Sequence, residues 1–248
     1  MNSNHSKELP TGLGQRTPES DELIPTREVK NEVVWVNPKI HAPFDLEIGK
    51  QSKLGRMLVS EKSGATLQLE GSQIHQRSLL LPAVLFRDDE GRIYRDVDIK
   101  GTGLIDFDQD LNMRAGKVKI RHLPSGEQES WGIFDDNLAR EDAENAEKLT
   151  SLGIRTYRYI GIIRLNEIVQ SSQPIEIQKA KEMGILTQEA KPVVAVRAYG
   201  IRARVDDLFD PLRENNNDKL LADAVAFVRQ ELGKTESEWG KEKYIEWF

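Results

Sequence analysis

The chain has 248 residues, a formal charge of −6 and no cysteine. Apolar residues at 38% beside 31% charged residues describe a globular chain able to bury a core, not a disordered or membrane-spanning one. No run approaches the roughly eighteen apolar residues of a membrane span; disulfides and thiolate metal sites are excluded, and the acidic balance offers no general attraction for nucleic acid.

Residues 1–31 are polar and rich in Gly, Pro, Ser and Thr, with Glu8, Glu19, Asp21 and Glu22 among them. Lacking an apolar stretch, they are not a secretory signal, and the four acids argue against an organelle transit peptide; they read as a disordered leader of a cytoplasmic protein. Order is expected to start near Glu32, with the apolar run Val33 to Val36, which Pro38 and Pro43 then break. A strand, turn and strand follow from Leu54 to Leu69 around Lys62-Ser63-Gly64. A further apolar stretch runs from Leu79 to Phe86, then the turn Asp88-Asp89-Glu90-Gly91, then a strand from Ile93 to Ile99. Together these make an antiparallel meander that ends at Lys100-Gly101-Thr102-Gly103.

Between residues 104 and 135 the pattern is that of an insertion, with a hairpin around Pro124-Ser125-Gly126. A helix is predicted from Asp136 to Leu152, stopped by Gly153, with Leu138, Asp142, Ala146 and Leu149 on its buried face. Strands at Tyr157 to Leu165 and Val193 to Arg197 flank a short helix between Ile175 and Met183. The last predicted element is an amphipathic helix, Asp218 to Leu232, that buries Leu220, Leu221, Ala224, Phe227, Val228 and Leu232.

Four features of this layout bear on chemistry. A lysine at a strand end, Lys100, can aim its ammonium into a cleft, and Gly101 and Gly103 would let backbone approach a ligand closely. The helix carries Glu141, Asp142, Glu144 and Glu147. Of these, Asp142 shares a face with the apolar residues, and Glu141 replaces it if the register slips by one. Arg197 and Arg204, with Arg202 between them, offer planar guanidinium groups suited to phosphate. His5, His41, His75 and His122 are scattered without metal-ligand spacing. A Walker A lysine, a GxSxG serine and an HExxH helix are all absent from the sequence.

Several of these segments, in order, resemble the selenoprotein O family. Val97 to Gly103 (VDIKGTG) is similar to its LKGAG motif. Ala139 to Thr156 (AREDAENAEKLTSLGIRT) resembles the form IREFLxSEAMxxLGIPTTR, with Glu147 and Leu152-Gly153-Ile154 at matching positions and Asp142 in place of the helix glutamate. Arg197 and Arg204 repeat a pair of arginines seven residues apart. Asn217 to Leu232 resembles ALxxLADYVIxRHY, and Lys53 to Leu58 resembles the glycine-rich turn QLGDGRAxLLGE.

The resemblance implies an α+β fold: a protein-kinase-like N-lobe over residues 32–205, with an antiparallel sheet and an αC-type helix, followed at 206–248 by the start of a helical C-lobe. It further implies ATP bound in a flipped orientation and transfer of AMP to hydroxyls of a protein substrate. Lys100, Gly101, Gly103 and Asp142 would then surround the phosphates, Arg197 and Arg204 would hold the γ-phosphate end, and Mg2+ would neutralise phosphate charge. The family's DGRAVLRSS segment and its catalytic-loop HGVMNTDN have no counterpart in these residues. The expectation is therefore an ATP-binding portion without its catalytic loop or metal ligands. A non-catalytic kinase-like scaffold is the alternative, with the acidic helix and residues 205–248 as partner surface.

Overall fold

Runs of β-branched and aromatic residues, separated by Gly, Pro and Asp turns, favour strands, and among the described residues strands outnumber helices. The computed structural model describes residues 25–59, 72–75, 78–81, 84–107, 113–201 and 214–238. The first half contains β1 (Thr26–Glu28), β2 (Asn31–Val36), β3 (Arg56–Leu58), β4 (Ser72–His75), β5 (Ser78–Leu81), β6 (Phe86–Arg87), β7 (Ile93–Tyr94) and β8 (Asp96–Lys100). Two hairpins follow, β9 (Leu104–Phe107) with β10 (Met113–Lys117) and β11 (Lys119–His122) with β12 (Gln128–Trp131). Next come β13 (Phe134–Asp135), helix α1 (Asp136–Ser151) and β14 (Arg158–Leu165). A hairpin of β15 (Glu167–Gln170) and β16 (Gln173–Glu176) leads to α2 (Ile177–Glu182), β17 (Pro192–Tyr199) and α3 (Glu214–Glu231).

Seven strands form the main sheet in the order β2-β14-β17-β8-β5-β4, with β13 also paired to β17, and all of its ladders are antiparallel. The fold is thus α+β, built on antiparallel sheet with few helices. Strand alternation sorts the two faces. Val97 and Ile99 of β8 join Leu79, Leu81, Ile160, Ile163, Val194 and Val196 in the larger core. On the opposite face Tyr159, Ile162, Val193 and Ala195 pack against α1.

Helix α1 starts where expected. Asp135 caps it, one carboxylate oxygen accepting from the Asn137 N–H at 3.0 Å and the other from the Lys191 N–H at 3.1 Å. Gly153, at φ +79°, follows its end. Of the predicted face Ala146 is buried, but Leu138 is 52% and Leu149 40% exposed, and Ala139 and Ala143 are buried in their place. Bulky Phe134, Tyr159 and Ile162 already fill the space above the sheet, so small side chains let the helix lie close.

The N-terminal boundary also shifts. The ordered chain begins before Glu32, because β1 pairs with β3 and Thr26 is fully buried, its hydroxyl accepting from Arg56 Nε at 2.8 Å. Leader residues 1–24 and the Lys62-Ser63-Gly64 turn lie outside the described residues. At the other end, Ala224, Val225, Phe227 and Val228 of α3 pack on Ile93, Leu85 and Ile201, while Leu232 is exposed. Two ion pairs fasten this helix, Arg95 to Asp223 and Arg155 to Glu231. No described helix is long and apolar enough to cross a membrane.

Candidate functional site: a strand lysine facing a helix carboxylate

Lys100 ends β8, opposite Ala195 on β17 and Ser78 on β5. That register places it on the face covered by α1. Its ammonium lies 3.5 Å from Asp142 Oδ2 and 3.8 Å from the centroid of the Phe134 ring. Asp142 is therefore the helix acid that reaches the lysine; Glu141 is exposed. The same Asp142 oxygen accepts a hydrogen bond from the Tyr159 hydroxyl at 3.1 Å. Burial pushes the Tyr159 phenol well up, with Arg197 opposing and Asp142 reinforcing, so it stays a donor across the ordinary pH range.

The glycines after Lys100 have a packing explanation. Gly101 sits at φ +97°, and a Cβ there would stand 2.6 Å from the Val193 carbonyl and 2.9 Å from Phe134 Cβ. Gly103, at φ +100°, donates its N–H to the Gly132 carbonyl at 2.8 Å. Both let the chain turn tightly beneath β13 and β17. Gly55, in the segment read as a glycine-rich turn, would place a Cβ 2.2 Å from the Asn31 side chain, so it too is required by packing. β3 lies beside β1 rather than in the main sheet, and its Leu58 N–H donates to the Thr102 carbonyl at 2.8 Å.

Arg197 lies two residues along β17 from Ala195, across from Asp98 in the β8–β17 register and from Tyr159 in the β14–β17 register. It donates to both Asp98 oxygens, from Nε at 2.9 Å and from Nη2 at 2.7 Å. Tyr157 and Tyr199 lie 5.4 and 5.5 Å from its guanidinium carbon. Burial alone would lower the Arg197 pKa; the Asp98 charge outweighs it and the net effect is upward, so the guanidinium stays charged. Lys100, Tyr159, Asp98 and Arg197 thus share one face of the sheet, and Asp142 reaches that face from α1. Arg202 and Arg204 lie outside the described residues.

A second set of charges was legible only as scattered acids and arginines. Arg158, buried, donates to both oxygens of Glu147 at 2.8 Å and to Asp88 Oδ2 at 3.1 Å. Asn37 Nδ2 donates to Glu147 Oε1 at 2.8 Å, and Arg92 Nε to Asp88 Oδ2 at 2.7 Å. For both carboxylates burial would raise the pKa, yet these donors and positive charges carry it below the usual range. The one advance signal was Glu147, which matches a fixed position in the helix motif.

Among the described residues no group of three or more His, Cys, Asp or Glu side chains converges as a metal site. No family model matches the chain, and no curated protein matches it.

Proposed function

We propose that the α1-covered face around Lys100 binds the phosphates of ATP, and that the chain is the nucleotide-binding portion of a kinase-like protein adenylyltransferase, as its resemblance to the selenoprotein O family implies. The observation that carries this is the Lys100 ammonium, at a strand end, 3.5 Å from a carboxylate on the helix packed over the sheet. In protein kinases a strand lysine held by a helix carboxylate orients the phosphates. Here the pair is long for a charge-assisted hydrogen bond, and Asp142 is partly exposed. Such a pair is worth no more than about 1 kcal/mol, so a phosphate oxygen can take over part of it at little cost. In the reaction this serves, a protein hydroxyl attacks the α-phosphorus, AMP is joined to that oxygen, and pyrophosphate leaves. Lys100 would steady charge on the phosphates; Arg197 and Arg204 would face the γ-phosphate end.

A non-catalytic scaffold is the second reading, favoured by one observation. Arg197 is only 7% exposed and holds both oxygens of Asp98, as a structural arginine does.

Thermal unfolding in rising ATP, with and without Mg2+, separates the two. A ligand at a hundred times its Kd stabilises by about 2.7 kcal/mol, a readily measured rise in Tm. We expect that rise in the native chain and its loss in Lys100→Ala. An equal rise in the variant removes Lys100 from the site, and no response at millimolar ATP in a folded chain selects the scaffold.

A further inference from the structure

An aspartate reaches one methylene less far than a glutamate, so a lysine–aspartate pair across a helix–sheet gap needs help to hold its geometry. Three features supply it. Ala139, Ala143 and Ala146 bring α1 close to the sheet. Phe134, one residue before the Asp135 cap, places its ring 3.8 Å from the Lys100 ammonium, at the start of the helix that carries Asp142. Tyr159, fully buried on β14, donates its hydroxyl to the same Asp142 oxygen that faces Lys100.

We propose that Tyr159 is a positioning residue: its hydroxyl fixes the rotamer of Asp142, and Asp142 in turn fixes the Lys100 ammonium at the phosphate site. The role in binding rests on reading Lys100 as a phosphate contact; the coupling of Tyr159 to Lys100 does not. The Tyr159 ring is clamped between α1 and the sheet and opposite Arg197 in register, so its hydroxyl has a fixed position from which to hold the acid. The Asp142 side chain is 39% exposed, so without that donor it is free to turn toward water, away from the lysine.

Tyr159→Phe keeps the ring and removes only the donor. Two readouts test it, alongside Asp142→Asn and the double variant. In the first, without nucleotide, 13Cε-lysine NMR follows the Lys100 signal, assigned by its absence in Lys100→Arg. Tyr159→Phe should shift this signal in the direction that Asp142→Asn does, and the double variant should shift it no further. In the second, calorimetry with ATP should show about tenfold weaker binding in Tyr159→Phe, the size of one hydrogen bond to a charged group, and no further loss when Asp142→Asn is added.

A Lys100 signal that moves in Asp142→Asn and stays still in Tyr159→Phe overturns the proposal, since a purely structural tyrosine leaves the ammonium untouched. Unchanged ATP affinity in Tyr159→Phe, with the native chain binding, overturns it as well. If the native chain binds no ATP while the NMR shifts are coupled, the nucleotide reading fails and the positioning of Lys100 by Tyr159 stands.

Discussion

Arg197 shows how much a single cross-strand rung can decide. Asp98 is fully buried and Arg197 nearly so, and each satisfies the other through two hydrogen bonds. A buried charge costs several kcal/mol to desolvate, and the pair is tolerable only while both members are present. Asp98→Ala should therefore destabilise the chain by about 3–5 kcal/mol in urea unfolding. The double variant Asp98→Leu with Arg197→Met should recover most of that loss, because no unpaired charge remains. Recovery would mark the rung as replaceable scaffold. A double variant that recovers its stability but loses the ATP response would show instead that Arg197 acts on ligand as well as on Asp98.

Elements meet most tightly where β8 ends. The turn after Lys100 passes beneath β13 and β17 with so little room that only glycine fits at 101: the backbone is left-handed, and a methyl group would strike the Val193 carbonyl. Gly101→Ala should cost at least about 1–3 kcal/mol from backbone strain alone. It should also displace Phe134 from under the Lys100 ammonium, so the loss of stability should come with a shifted lysine NMR signal. A stable Gly101→Ala chain with an unshifted signal would show that the turn has slack. Helix α1 follows the same logic of close approach. Its alanine face, rather than the leucine face that helical spacing suggested, is what brings Asp142 within reach of the sheet.

Across the whole molecule, charge networks tie the sheet to its surroundings. Arg158 joins Glu147 of α1 to Asp88 of the β6–β7 turn, and Arg155 and Arg95 bind α3. The folded-state pKa values of Glu147 and Asp88 lie below their ordinary values. Their contribution to stability is thus fully present above the unfolded pKa values, about 3.9 for Asp and 4.3 for Glu, and is lost as pH falls through the lower folded values. The urea midpoint should drop as pH is lowered from about 5 to about 3. In Arg158→Met, which removes the charge that depresses Glu147 while Arg92 still depresses Asp88, stability should be lower at neutral pH and the acid-dependent loss smaller. An unchanged acid slope in that variant would assign the loss to other carboxylates.

Much of the secondary structure was legible in the sequence. Helix α1 announced itself through its helical spacing and Gly stop, the 124–126 turn through Pro-Ser-Gly, and Lys100 through its place at the end of an alternating run followed by two glycines. These are signals between near neighbours in the chain, where backbone preference and local hydrogen bonding act directly. Residues far apart in sequence decided the rest. That Asp142 and not Glu141 meets Lys100, that Arg197 is locked to Asp98, that Tyr159 holds Asp142, and that Arg158 gathers Glu147 and Asp88 all follow from strand register and from how closely α1 can lie on the sheet. Those quantities are set by the packing of the two faces together, and no local pattern contains them.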